Sequence, residues 1–199
     1  MSRFATSTTR RAAVAAVALA SAAGLSAVLP ASAHDTGESS GHGSHGGHGS
    51  GGSVHGRTLA FASPLSDLAT ATEEPLEGAS ATLRMTLGEE RSAFVLKIED
   101  IDRSADGKDY GAHLHSGPCV PGDGAAAGPH YNSASPPIVD EDHEVWLDFT
   151  VSSRGTGKAV AVVPFVPKHG ARSVVVHEMA TNPDTGAAGG RLACFPVVW

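Results

Sequence analysis

Histidine is the residue type in this sequence with the clearest capacity for chemistry. The chain carries 11 His but only 4 Lys, and neutral imidazole binds copper, zinc, iron and nickel. His113 and His115 stand two apart in the segment GAHLHSG. In an extended strand, residues two apart point to the same face, so both imidazoles would face one side and Leu114 the other. The pair forms half of a metal site, although a lone His-x-His is often a surface accident.

Two further histidines lie in separate segments. His177 follows the apolar run SVVV, where it would share a strand face with Val175 and Met179. A single His in that position is more often an ordinary packed residue. His130 lies in GPHYN, inside a long loop, where a solvated turn residue is the ordinary interpretation. Each of these histidines is ambiguous by itself.

The segments that must position the histidines have the period-two hydrophobicity of short β-strands. In residues 80–87, for example, apolar side chains occupy every second position. Seven or eight such strands, with turn signals between them and no convincing helix, predict an all-β fold. We expect an antiparallel sandwich or barrel over residues 57–199. The further predicted strands include residues 94–98, 145–151, 158–165, 172–179 and 191–199.

Two long segments between the predicted strands are rich in Gly, Pro, Ala and Asp. They are residues 116–142 and 180–190, and they flank the histidines described above. Long loops on a rigid β scaffold are common places for binding and catalysis. We therefore expect the functional site to be formed by these loops together with the strands beside them.

Four separated motifs occur in the order seen in copper/zinc superoxide dismutases, namely GAHLHSGPC, GPHYN, SVVVHE and GGRLAC. The chain resembles this family over about residues 111–194, with weaker similarity back to residue 57. The resemblance implies a Greek-key β-sandwich that converts superoxide to dioxygen and hydrogen peroxide. It further implies that His113, His115 and His177 are copper ligands. His130 would be the fourth ligand, the imidazole that bridges copper to zinc in the family.

The resemblance also implies roles for residues outside the ligand set. Cys119 and Cys194 would form an intrasubunit disulfide, with two free thiols as the alternative. Arg191 would dock the superoxide anion beside copper, whereas its ordinary role would be that of a surface charge on a strand. His130 would be catalytic as well, because a bridging imidazole can release copper and take up a proton.

The zinc half of the family's site is incomplete in this chain. Where the family places two more His and an Asp after the bridging residue, only His143 occurs, with oxygen donors at Asp140, Glu141, Asp142 and Asp148. A closed zinc site with three His and one Asp cannot be assembled from these residues. We therefore expect a copper-only variant, with zinc doubtful. His143 would be either an accessory metal ligand or a structural residue at a strand end.

Residues 1–33 have the pattern of an export signal. Three arginines precede an apolar stretch at residues 12–29, and the small-residue site Ala31-Ser32-Ala33 follows. An uncleaved membrane anchor is the alternative, but Ser and Gly dilute the stretch. We expect cleavage, no stable transmembrane span after processing, and release to the extracytoplasmic space. That compartment is oxidising and permits disulfides.

Residues 34–56 form a Gly- and Ser-rich segment without apolar periodicity. Such a segment cannot bury a core, so we predict that it is disordered. It is either a flexible spacer or, as we favour, an accessory segment that acquires copper or zinc. Its candidate ligands are His34, His42, His45, His48 and His55.

Charge disfavours one class of function. The chain has 14 basic and 21 acidic side chains, a formal charge of −7. Without residues 1–33, which hold three Arg and no acid, 11 basic groups remain against the same 21, a charge of −10. Binding to nucleic acid is not expected, because a phosphate backbone requires a basic face.

Two rivals keep the same fold. One is a non-catalytic, extracytoplasmic copper-binding or copper-buffering protein with the same ligands. The other is an adhesion or interaction sandwich whose histidine cluster is vestigial. Arg191 favours the enzyme, because copper storage requires no cation to dock an anion.

Overall fold

The computed structural model describes residues 54–68 and 75–199. The predicted export segment at 1–33 lies outside the described residues, as do His34, His42, His45 and His48. Within the described part of the chain, no helix is long and apolar enough to cross a membrane.

The described residues form ten strands in antiparallel sheets. The strands are β1 (Arg57–Pro64), β2 (Ser66–Asp67), β3 (Ser80–Leu87), β4 (Ser92–Glu99), β5 (Asp109–Tyr110), β6 (Ala112–His115), β7 (Phe149–Thr150), β8 (Gly157–Val163), β9 (Ala171–His177) and β10 (Arg191–Val198). One four-stranded sheet has the order β1-β3-β4-β8, and the other has the order β2-β10-β9-β6. A small third sheet pairs β5 with β7. Two short 3₁₀ turns lie at Arg103–Ala105 and Gly124–Ala127.

The core lies between the two large sheets. Leu83 and Phe94 of the first sheet share one buried cluster with Leu114, Val174 and Phe195 of the second. The longer strands contribute alternate residues to this cluster, because successive side chains of a strand point to opposite faces. Burying such side chains is the main favourable contribution to folding. The predicted all-β, antiparallel sandwich is confirmed, and its Greek-key connectivity stays a prediction.

The predicted strand at residues 145–151 is regular only at Phe149–Thr150. Val145 and Leu147 are buried as the alternation required, but the ladder with β6 is interrupted beside them. The N–H of Ala112 donates to the Asp148 carboxylate, and the carbonyl of Leu114 accepts from the N–H of Tyr131. Backbone groups that would extend the ladder are thus used by the surrounding loop.

A disulfide fixes the long 116–142 loop to the second sheet. Cys119 in the loop is bonded to Cys194 in β10, with 5.6 Å between the Cα atoms. Cys194 is fully buried and packs with Leu68, Ala127 and Val175 in a second apolar cluster. The predicted disulfide is therefore confirmed, and it places the loop beside β9 and β10.

Candidate metal centre

Four histidines from three parts of the fold meet at one end of the second sheet. His113 and His115 lie on β6, and His177 ends β9, the strand that pairs with β6. His130 comes from the 116–142 loop and forms an isolated bridge with His115. Because His113 and His115 are two apart on one strand, both imidazoles face the site while Leu114 enters the core. The structure thus brings together all four predicted ligands.

Glycine allows the 180–190 loop to close over this end of the sheet. A Cβ atom on Gly111, just before β6, would lie 2.8 Å from the carbonyl oxygen of Met179 and 2.7 Å from the Ala188 side chain. The N–H of Gly111 donates to that same carbonyl at 2.7 Å. Any side chain at Gly111 would push the loop away from the histidines.

The geometry of the cluster suits one metal ion. One ligand atom from each of His113, His115, His130 and His177 lies within 4.8 Å of all the others. Among the residues that the structure describes, this is the one such group of three or more His, Cys, Asp or Glu side chains. His113 and His115 are fully buried, His177 is nearly so, and the His130 side chain is 19% exposed.

Backbone carbonyls fix the ring orientation of two ligands. Nδ1 of His115 lies 3.0 Å from the carbonyl oxygen of Gly128, and Nδ1 of His177 lies 3.5 Å from that of Gly189. A carbonyl only accepts, so the 3.0 Å contact places the proton of His115 on Nδ1 and a lone pair on its Nε2. The two Nε2 atoms are 3.2 Å apart. Two ring nitrogens this close share either one proton, as a hydrogen bond, or one cation that both lone pairs bind.

His130 is oriented by a buried carboxylate. Its Nδ1 lies 2.7 Å from Oε2 of Glu144, which is 4% exposed. Glu144 also accepts from Nε1 of Trp146 at 2.9 Å and from Nδ2 of Asn132 at 3.2 Å. Burial would raise the pKa of Glu144, but the hydrogen bonds from His130, Trp146 and Asn132 outweigh it and the pKa is lowered. An ionised Glu144 therefore holds the proton of His130 on Nδ1, which leaves Nε2 as the lone-pair nitrogen.

His113 differs from His115 and His130 in the ring nitrogen that is left without a partner in the protein. Its Nε2 lies 2.7 Å from Oγ1 of Thr181, whereas its Nδ1 is buried with no hydrogen-bond partner. An unsatisfied buried polar atom is costly unless something binds it. A metal ion bound by the other three imidazoles would satisfy this nitrogen, so the donor set fits a metal.

Three of the candidate ligands are held in their neutral form. Burial lowers the pKa of His115 to about 3 and that of His177 to about 4, and it lowers the pKa of His113 further. The neighbouring imidazoles contribute to each shift, and the positive charge of Arg191 contributes at His115 and His177. Neutral imidazole is the metal-binding form, so these residues can bind a cation at neutral pH without first losing a proton.

Arg191 lies beside the cluster. It pairs with His177 across β9 and β10, and its guanidinium donates to the carbonyl oxygens of Gly124 and Gly128. The Gly128 oxygen also accepts from His115, so the Arg191 guanidinium and the His115 imidazole share one hydrogen-bond acceptor. Two of the five guanidinium N–H donors are used in this way. From the sequence, a position of Arg191 beside the histidines was expected only through the resemblance. In the structure, the register of β9 and β10 puts Arg191 opposite His177.

The two accessory histidines within the described residues, His143 and His55, are not part of the cluster. Nδ1 of His143 lies 2.6 Å from Oδ1 of Asp140 within an exposed turn. His55 is exposed near the start of the described residues. Their accessory metal binding stays a prediction.

Sequence reasoning missed Glu144 and Thr181 as partners of the ligands. For Glu144 a signal was present, because Val145 and Leu147 alternate with Glu144 and Trp146. The apolar residues of this segment face the core, so the other two must face away from it, toward the 130–132 segment. Thr181 gives no such signal, since its loop has no periodicity.

A comparison with protein-family models finds no match to this chain, and a comparison with curated proteins finds none either. The candidate site therefore rests on its geometry and on the residue types that form it. That geometry describes a buried, four-imidazole site able to hold one metal ion.

Proposed function

We propose that this protein is an exported, copper-dependent superoxide dismutase. The observation that carries the proposal is the convergence of four histidine nitrogens beside the Arg191 guanidinium. The order of the motifs, which resembles that of copper/zinc superoxide dismutases, supports it independently. The disulfide supports export, because such bonds persist in oxidising compartments.

Of the two metals considered for this four-imidazole site, copper is the one that can carry out the reaction. Imidazole binds both copper and zinc, but zinc has no redox chemistry. When bound, copper supplies the reversible one-electron change by which one superoxide is oxidised to dioxygen and another is reduced to hydrogen peroxide. Two protons are consumed for each pair of superoxide ions.

The contact between His130 and Glu144 favours copper without zinc. In the family that the sequence resembles, the second nitrogen of the bridging imidazole binds zinc. Here the corresponding nitrogen, Nδ1 of His130, is a proton donor to a buried carboxylate. A protonated nitrogen offers no lone pair to a second metal. His130 then acts as a fourth copper ligand through Nε2.

The side chains have distinct tasks in the reaction. Arg191 attracts and orients the superoxide anion. Because the protein as a whole is negatively charged, this attraction must come from positive charge close to the site. His130 has the most exposed side chain of the four ligands, so it is the one best placed to exchange a proton with solvent at Nε2.

Matched histidine variants test the proposal. His115→Ala in the full, copper-supplied chain should abolish copper-dependent loss of superoxide while far-UV circular dichroism stays unchanged. His143→Ala, which lies outside the cluster, should keep the wild-type rate. Normal activity in His115→Ala would refute the ligand assignment. A wild-type chain that binds copper tightly but reacts no faster than free copper would be a copper-buffering protein instead.

A further inference from the structure

Hydrogen bonds connect three side chains, namely His113, Thr181 of the 180–190 loop and Asp148. Oγ1 of Thr181 lies 2.7 Å from Nε2 of His113 and 2.7 Å from Oδ1 of Asp148. His113 and Asp148 do not hydrogen-bond directly, since Nε2 and Oδ1 are 3.8 Å apart. The threonine hydroxyl is therefore the link between the buried imidazole and the carboxylate.

The direction of each of these hydrogen bonds follows from counting donors. Asp148 accepts from the N–H of Thr181 at 2.7 Å and from that of Ala112 at 3.2 Å. An ionised carboxylate only accepts, so the single hydroxyl proton of Thr181 is donated to Asp148. The oxygen of Thr181 must then accept from His113, and Nε2 of His113 carries a proton.

This direction selects the nitrogen that can bind a metal. With the proton of His113 on Nε2, Nδ1 carries the lone pair, and Nδ1 is the buried atom that has no partner within the protein. His115 and His130 have the opposite tautomer, with their protons on Nδ1. His113 therefore requires a hydrogen-bond partner of its own that keeps its ring proton on Nε2.

We propose that Thr181 is a positioning residue that holds His113 in the Nε2–H tautomer, so that Nδ1 is its metal-binding atom. The inference rests on the metal site and not on turnover of superoxide. When a hydrogen-bond partner that orients a metal ligand is removed, metal affinity typically falls about 10–100-fold. Through Thr181, the 180–190 loop contributes to metal binding without supplying a ligand.

Substitution of the hydroxyl alone separates positioning from packing. Thr181→Val keeps the shape of the side chain and the backbone N–H bond to Asp148, and it removes the acceptor for His113. Thr181→Ser restores the hydroxyl. Thr185→Val is a matched control in the same loop, because Thr185 is exposed and its hydroxyl accepts only from the backbone of Ala187.

Two readouts test the proposal on the full chain. Long-range proton–nitrogen NMR of the metal-free protein reports which nitrogen of each imidazole is protonated, and competition with a chromogenic chelator reports the affinity for cupric ion. In the wild type we expect His113 to carry its proton on Nε2, whereas His115 and His130 carry theirs on Nδ1. Thr181→Val should give mixed His113 tautomers and bind copper about 10–100-fold more weakly. Thr181→Ser and Thr185→Val should match the wild type.

The wild-type spectrum is decisive even if Thr181→Val fails to fold. A proton on Nδ1 of His113 in the wild type would overturn the proposal. Unchanged tautomer and copper affinity in a folded Thr181→Val would overturn it as well. A protein that binds copper as expected but does not consume superoxide would refute the proposed function and leave the role of Thr181 standing.

Discussion

Acidification should destabilise the metal-free protein through its buried ligands. The pKa of His115 is held at about 3 and that of His177 at about 4, and that of His113 is also lowered, against about 6.5 for an exposed imidazole. Below pH ~6.5 the unfolded chain binds protons that the folded chain cannot bind. Stability is therefore lost as pH falls through about 6.5 towards the folded values.

The size of this loss at pH 5 depends little on how far each folded pKa lies below 5. An imidazole that is neutral in the folded state and has an unfolded pKa of about 6.5 contributes a loss of about 2 kcal/mol at pH 5. Three such residues give a loss of about 6 kcal/mol between pH 7.5 and 5. That is a large part of the ~5–15 kcal/mol by which domains are stable.

Urea unfolding of the chelator-treated protein, with its disulfide intact, measures this loss as a function of pH. His177→Gln should reduce the loss between pH 7.5 and 5 by about 2 kcal/mol, because one proton-binding site is removed from the unfolded chain. His143→Gln is the control, since His143 lies in an exposed turn. Stability that does not change over this range, or an equal effect of the two variants, would refute the reasoning.

Three further predictions concern the charges and the disulfide around the site. Arg191→Ala should slow superoxide consumption at least about tenfold and flatten its dependence on salt while copper stays bound; loss of copper measured by atomic absorption would make Arg191 structural instead. Glu144→Gln replaces a charged acceptor of His130 by a neutral one, which weakens that hydrogen bond by about 1 kcal/mol. Copper affinity measured by chelator competition should then fall several-fold, and an unchanged affinity would contradict the role given to Glu144. The double variant Cys119→Ser/Cys194→Ser opens a loop whose ends are 75 residues apart in sequence and should lose about 2–4 kcal/mol in urea unfolding; unchanged stability would show that the loop is held by its packing alone.

Local pattern was sufficient to predict most of the sandwich. The strand predicted at residues 80–87 has the bounds of β3, because period-two hydrophobicity and burial on one face determine each other. The shared face of His113 and His115 followed from the same geometry. At residues 145–151 the pattern predicted burial correctly but not the regular strand, since Asp148 and Tyr131 take hydrogen bonds that the ladder would use.

Contacts between distant loops could not be predicted in this way. Thr181 is 68 residues from His113, and His130 is 14 residues from Glu144. The first contact depends on how the aperiodic 180–190 loop folds back on β6, which no local pattern records. For the second, alternation shows only that Glu144 faces away from the core, and not that His130 lies opposite it. The position of Arg191 beside His177 likewise depends on the register between β9 and β10. The ligand set was therefore accessible through motif order, whereas the groups that orient the ligands required the structure.

The most direct test of the central claim is the rate constant for superoxide disproportionation by the full chain loaded with copper and free of zinc, measured by pulse radiolysis. We expect a copper-dependent rate that approaches the diffusional ceiling of ~10⁸–10⁹ M⁻¹s⁻¹ and that added zinc does not raise. A rate no greater than that of the same concentration of free copper, with copper demonstrably bound to the four histidines, would contradict the account.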